Sequence, residues 1–324
     1  MVNGTDIGAA ILPGCGDAAG RRRILAAAGG LLLLAAAPLV LYPVFIMKVM
    51  CFALFAAAFN LLLGYVGLLS FGHAAFFGSA AYVAAVAMKN LNAPPELAVL
   101  AGTAVAALLG ALVGLLAIRR TGIYFAMITM ALSQLVYFVC LQHQATHGED
   151  GIQAVPRGLL FGLVPLNDNL TLYGFVSVIF VAALYAMWRI VHSPFGNILA
   201  AIRENEQRVA SLGYRVERYK LGAFVLSAAF TGLAGATKVL VFQLASLTDV
   251  TWQMSGEPVL MTVLGGAGTF FGPVVGAAVV LSFEHFLSDV KLPYPVLIGL
   301  IFMACVLFFR RGIWGGIKGR LGLA

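Results

Sequence analysis

Residues 97–118 read LAVLAGTAVAALLGALVGLLAI, an apolar run with no charge in it, bracketed by Glu96 before and Arg119-Arg120 after. A helix rises about 1.5 Å per residue, so about 20 residues cross the roughly 30 Å hydrocarbon core of a bilayer. The run has that length. It does not alternate in short segments of about ten residues, as a barrel strand would. In lipid an unpaired backbone group costs several kcal/mol, which selects a helix. The stretch therefore predicts a helix that spans a membrane.

Comparable runs recur at 24–46, 49–69, 71–88, 122–141, 170–188 and 221–242, followed by a short one at 259–268, then 271–283 and 292–309. The expectation is an all-α polytopic membrane protein of about ten transmembrane helices. Composition agrees: 61% of residues are hydrophobic and 10% charged, against about 25% charged in a soluble domain. Arg21-Arg22-Arg23 ahead of an apolar stretch, with Ala35-Ala36-Ala37, has the look of a cleavable signal. Hydrophobicity resumes after Pro38 and runs to Ile46, so an uncleaved first span is expected. Residues 1–20, rich in Gly and Ala, are expected to be a disordered cytoplasmic terminus. A transmembrane domain at 21–312 and a cytoplasmic tail at 313–324 complete the expected organisation.

The net charge of +7 might suggest a nucleic-acid partner, but its placement is that of a topology signal. Three cations lie at 21–23, two at 119–120, six between Arg189 and Lys220, and four beyond residue 309, fifteen of the 20 in all. If spans alternate, all fifteen share one side, while Glu96, Glu149, Asp150, Asp168 and Asp249 share the other. Cytoplasmic loops carry the excess of Lys and Arg. Both termini and the 189–220 segment are thus expected in the cytoplasm. Cys15, Cys51, Cys140 and Cys305 have no metal or redox spacing and read as packing residues.

The most charged part is the loop 192–219. Ser193-Pro194 is a helix start, with Ser as cap and Pro at the first helical position. Ile198, Ile202, Val209 and Leu212 fall on one helical stripe, Glu204 and Arg208 stand four apart, and Gly213 is placed to end the helix. A helix over 195–212 is expected, too apolar on one face for water and too charged at its flanks for lipid. It lies on the membrane surface or fits a groove on another protein.

Two glycine-dense stretches interrupt hydrophobic sequence. The first runs from Gly64 and Gly67 through Gly72-His73 to Gly78; the second holds Gly265, Gly266, Gly268, Gly272 and Gly276. Paired interruptions in two halves point to a transport pathway in inverted-repeat carriers, whereas Gly268, Gly272 and Gly276 also suit close helix packing. Asn60, Thr129 and Ser133 are polar groups within spans, and His73 is the one ionisable side chain deep in one. Lys48 and Lys238 are expected to snorkel outward, and Glu257 and Glu284 to be interfacial. No Gly-Lys dipeptide occurs, so the chain has no phosphate-binding loop, and any ATP that drives it is hydrolysed elsewhere. Neither a serine elbow nor a zinc-protease signature is present. His143 and His147, near Glu149 and Asp150, are read as loop residues rather than metal ligands. No catalytic residue, metal or cofactor is expected.

Several segments together resemble a known family over roughly residues 40–312. They are Phe59-Asn60-Leu61-Leu62-Leu63-Gly64-Tyr65-Val66-Gly67 with Leu69-Ser70-Phe71-Gly72-His73; Glu149-Asp150-Gly151 through Pro156-Arg157; Ser193-Pro194-Phe195-Gly196 with Ala201-Ile202-Arg203-Glu204-Asn205-Glu206; and Val263-Leu264-Gly265-Gly266-Ala267-Gly268-Thr269. The sequence resembles the LivM-type permeases of branched-chain amino acid ABC importers, departing from them at His147-Gly148, where that family usually has two glycines. The resemblance implies a subunit of the bacterial inner membrane, paired with a second homologous permease, two ATPase subunits and a periplasmic substrate-binding protein. It implies that the cytoplasmic helix is a coupling helix: Ile198, Ile202, Val209 and Leu212 enter a groove on the ATPase, Arg203, Glu204 and Arg208 set its orientation, and Gly213 closes it. Asn60, Gly64, Gly67, Gly72, His73, Gly265, Gly266 and Gly268 are the candidate pathway residues. The implied cargo is leucine, isoleucine and valine; related permeases carry urea, amides or aromatic acids. An ion-driven carrier is the alternative of a different class.

Overall fold

The computed structural model describes residues 42–160, 162, 164–288 and the positions 38, 299, 303 and 312–315. The expected terminus 1–20, most of the spans 24–46 and 292–309 and most of the tail lie outside the described residues. The chain divides into two compact units, 1–46 and 47–324. The contacts below belong to the second.

Among the described residues the α-helices, in order, are α1 (Pro43–Leu63), α2 (His73–Asn90), α3 (Pro95–Ala117), α4 (Ile123–Gln142), α5 (Asn169–Val191), α6 (Pro194–Glu204), α7 (Glu206–Ser211), α8 (Val216–Phe242), α9 (Gly256–Gly265) and α10 (Gly272–Ser288). Of these, α1, α3, α4, α5 and α8 are long and apolar enough to cross a membrane. The run that opened the reading becomes α3, with Pro95 in its first turn and its end just ahead of Arg119-Arg120. A two-stranded hairpin, β1 (Leu159–Leu160) and β2 (Val164–Pro165), lies in the loop between α4 and α5.

The helix α2 is buried on nearly every side and is almost all small or aromatic. That is the pattern of a helix enclosed by others. Phe77 on α2 stacks on Phe55 of α1 at 4.6 Å. Close approach needs the absence of side chains: a Cβ added at Gly235 of α8 would lie 2.1 Å from the Phe77 carbonyl oxygen, and one at Gly102 of α3 would lie 2.7 Å from that of Ala80. Small residues let backbones meet, the packing that holds helices together in lipid. By contrast, α3 leaves Leu100, Leu108, Leu112 and Leu116 more than half exposed along one face. In water that face would be an unstable apolar patch; in a bilayer it is solvated.

Two boundaries differ from expectation. The apolar run 49–69 continues past Leu63, but α1 stops there and residues 64–72 form a break. The expected helix 195–212 is two helices parted at Asn205, whose backbone is extended (φ −156°, ψ 96°).

Candidate functional site

The break after α1 turns on Gly67, in the left-handed region at φ 81°. There the Val66 and Leu68 N–H groups both donate to the Leu62 carbonyl at 3.2 Å. Glycine enters this region without steric cost. A second break, residues 266–271, joins α9 to α10, with Gly266 at φ 118° and Gly268 at φ 83°. Asn60 ties the two breaks together. Its Nδ2 donates to the Thr269 carbonyl (2.9 Å) and its Oδ1 accepts from the Gly268 N–H (3.0 Å). The residue is 2% exposed, so its amide satisfies two backbone groups freed by the second break. The start of α2 is held to the residue that precedes α9 as well: the Ala74 N–H donates to Ser255 Oγ at 2.9 Å.

Arg203, in the last turn of α6, reaches this junction. Its Nη1 donates to the Gly64 carbonyl. A Cβ on Gly67 would lie 3.2 Å from the Arg203 stem, and one on Gly268 would lie 2.9 Å from Nη1. One side chain therefore touches both breaks. Carbonyls at a helix end lack intrahelical partners and favour a cation, and Gly64 follows the end of α1.

The helix pair α6–α7 is capped as its sequence suggests. Ser193 Oγ accepts from the Gly196 N–H (3.4 Å), Asn205 Oδ1 accepts from the Arg208 N–H (3.0 Å), and Gly213 follows α7 at φ 88°. The orientation differs from expectation. Ile202 and Val209 are buried against Val216 of the same chain, with Ile198 and Tyr219 packed beside them. That part of the stripe packs on the chain itself, and Arg203 likewise binds its own chain. The Glu204–Arg208 ion pair does not form, because the extended Asn205 destroys the four-residue helical spacing between them. Glu206 pairs instead with Lys220 at 2.7 Å. Glu204, Arg208, Gly213 and Leu212, the last 69% exposed, face outward together with Tyr214.

His73 is fully buried at the start of α2. Its Nε2 lies 2.8 Å from Ser227 Oγ, which itself donates to the Ala58 carbonyl (2.6 Å). The serine proton is thereby used, so the imidazole donates from Nε2–H. Phe59 meets the ring edge-on at 5.0 Å. Gly72 lies against α4, where an added Cβ would be 2.9 Å from the Thr129 carbonyl oxygen, and Gly265 against α10. The observed surroundings of these candidates are packed protein.

Of the two lysines expected to snorkel, Lys238 turns inward while Lys48 stays partly exposed. Lys48 pairs with Glu284 of α10 at 3.3 Å. Lys238 forms an ion pair with Asp249, which is 3% exposed and lies in a 3-10 turn beyond α8. The sequence shows two residues eleven apart across a helix end, with no periodicity to link them. Removing one partner strands the other charge, at about 3–5 kcal/mol. Lys238→Met should therefore lower the thermal unfolding midpoint of the detergent-purified protein clearly, and a Lys238→Met/Asp249→Leu pair should recover much of it. An unchanged midpoint in Lys238→Met would refute the assignment.

Beyond α4, His143 caps a 3-10 turn by accepting from the Ala145 N–H (3.2 Å). His147 and Gly148 both have positive φ, 59° and 60°. That conformation is the physical reason for glycines at this place. Arg157 fastens the loop to α8 by donating to the Leu240 and Val241 carbonyls at 3.2 and 3.1 Å, a cation on a helix C-terminus.

Residues 43–310 match the family described as branched-chain amino acid transport system / permease component. The chain belongs to this family. Among similar proteins, the high-affinity branched-chain amino acid transport system permease protein LivM of Escherichia coli strain K12 is 25% identical over 287 residues, covering 82% of this chain and 68% of LivM. LivM of Salmonella typhimurium strain LT2 matches equally. The autoinducer 2 import system permease protein LsrC of Escherichia coli O9:H4 is 26% identical over 172 residues, covering 51% of this chain and 50% of LsrC. No solved structure matches. The permease family match starts with α1 and includes both glycine breaks, the Arg203 junction and the α6–α7 pair.

Proposed function

We propose that this permease is the membrane subunit of an ATP-powered importer that brings branched-chain amino acids into the bacterial cytoplasm. Its partners in this reading are a second homologous permease, two ATPase subunits and a periplasmic substrate-binding protein, with both termini and the α6–α7 pair in the cytoplasm of an inner-membrane protein. The carrying observation is Arg203. It joins the cytoplasmic helix pair to the two breaks in the membrane helices, so a push on α6–α7 is felt where α1, α2, α9 and α10 change direction. The ATPase side of the pair is its exposed face: Glu204, Arg208, Leu212 and Gly213. ATP is hydrolysed on the partners, so the chain itself needs no cofactor.

The cargo assignment leans on the likeness to LivM, whereas LsrC bears the name of an autoinducer 2 import system, so family membership alone leaves the solute open. Competition for uptake decides it. In proteoliposomes holding the assembled transporter, labelled leucine should be displaced by isoleucine and valine and not by urea. Failure of leucine to enter while urea or an aromatic acid does would overturn the cargo and leave the permease assignment standing.

A further inference from the structure

Where α5 gives way to α6, a cavity of about 640 Å³ opens between the end of α5 and the start of α8. Ile190, Phe195, Leu221, Gly222, Val225 and Leu226 line its apolar length. It shares Phe195 and Arg218 with a second cavity of about 400 Å³, lined by Tyr214, Arg215 and Tyr219. Gly222 faces the Phe195 ring, and a Cβ there would come into van der Waals contact with it at 3.4 Å. The two cavities straddle a compositional boundary. From Leu221 onward α8 carries no charge until Lys238, while the turn before it holds Glu217, Arg218 and Lys220. Apolar span thus lies beneath one half and cations beneath the other.

We propose that this continuous groove binds an anionic phospholipid, with an acyl chain in the apolar slot and the phosphate between Arg215 and Arg218. Three observations carry the choice of occupant. The slot runs beside Leu221, Val225 and Leu226 of α8, a helix long and apolar enough to cross a membrane. Arg215 and Arg218 pair with no acid: the ion pairs of the described residues are Lys48–Glu284, Lys220–Glu206 and Lys238–Asp249. Tyr214 and Tyr219 flank them, the amphipathic rings that sit at headgroup level. Basic pockets between membrane helices suit phosphate headgroups. The site touches Phe195, in the first turn of α6, so an occupied groove would steady the helix pair from its membrane side.

Native mass spectrometry of the full-length chain, titrated with phosphatidylglycerol or phosphatidylcholine of identical acyl chains, tests the assignment. Phosphatidylglycerol should be retained on the order of tenfold more tightly, the effect of cations near an anionic headgroup. Arg218→Gln should remove most of that preference, and Gly222→Trp, which fills the slot without altering charge, should weaken both lipids alike. Equal retention of the two lipids by the unmodified chain would overturn the proposal, and that comparison needs no variant to fold. So would a preference that survives Arg218→Gln. In the assembled transporter, a photo-crosslinking residue at Leu221 should label lipid; labelling of an ATPase or the second permease would assign the groove to a protein partner and defeat the lipid.

Discussion

A Gly265→Ala chain is expected to fail to assemble, although it gains a single methyl group. The added Cβ would stand 1.8 Å from the Gly272 carbonyl oxygen and 3.1 Å from the Gly276 backbone nitrogen. Both obstacles are backbone, which no rotamer change can move aside. On the other side of the same hairpin, a Cβ at Gly276 would lie 1.8 Å from the Met261 carbonyl oxygen. Overpacking in a core typically costs about 1–3 kcal/mol when side chains can adjust. Here α9 and α10 must separate, so a loss of at least about 3 kcal/mol is expected. The control is Gly174→Ala on α5, where nothing lies within 4 Å; helix propensity makes that change neutral or favourable by up to about 1 kcal/mol. Yield of monodisperse protein and the thermal midpoint should fall sharply for the first variant and hold for the second. Equal midpoints would show that the α9–α10 hairpin is looser than described.

Arg203→Met should leave a protein that inserts and binds its partners, yet hydrolyses ATP with little transport. Methionine keeps much of the apolar stem that lies against Gly67 and removes the donor to the Gly64 carbonyl. A hydrogen bond from a charged group contributes about 1.5–3 kcal/mol, equivalent to roughly tenfold to a hundredfold in an equilibrium. The expected readout is a drop of that order in solute moved per ATP hydrolysed, alongside the fall of a few degrees in thermal midpoint that losing one such bond brings. Arg203→Lys should recover part of it, because lysine retains the charge without the planar fork that reaches Gly268. An unaltered transport-to-hydrolysis ratio in Arg203→Met would remove Arg203 from the coupling route.

How much of this was legible in the residues differs by element. The bounds of α3 were legible because Pro95, Glu96 and Arg119-Arg120 punctuate an uninterrupted apolar run. The end of α1 was not, because hydrophobicity records the lipid and Gly64–Gly67 interrupts the helix without interrupting the apolar character. The same holds for α6 and α7. Periodicity assigned Ile198, Ile202 and Val209 to one face, but it cannot say what that face meets, and the answer was Val216 and Tyr219 of the same chain. Arg203 was recognisable as part of the charged segment 192–219, yet its contact with Gly64 links residues 139 positions apart. Asn60 shared that obscurity: a polar group in a span reads equally as pathway or tie until the Gly268–Thr269 backbone is seen beside it.

In the proposed function, work done by ATPase subunits reaches the membrane helices through α6–α7. The most direct test is uptake of labelled leucine by proteoliposomes holding the assembled transporter and its binding protein, compared with identical vesicles lacking the ATPase subunits. Accumulation against a gradient should require both ATP and the ATPases, and should vanish when either is withheld. Accumulation that persists without them, driven by a proton or sodium gradient, would contradict the account and make the chain a secondary carrier.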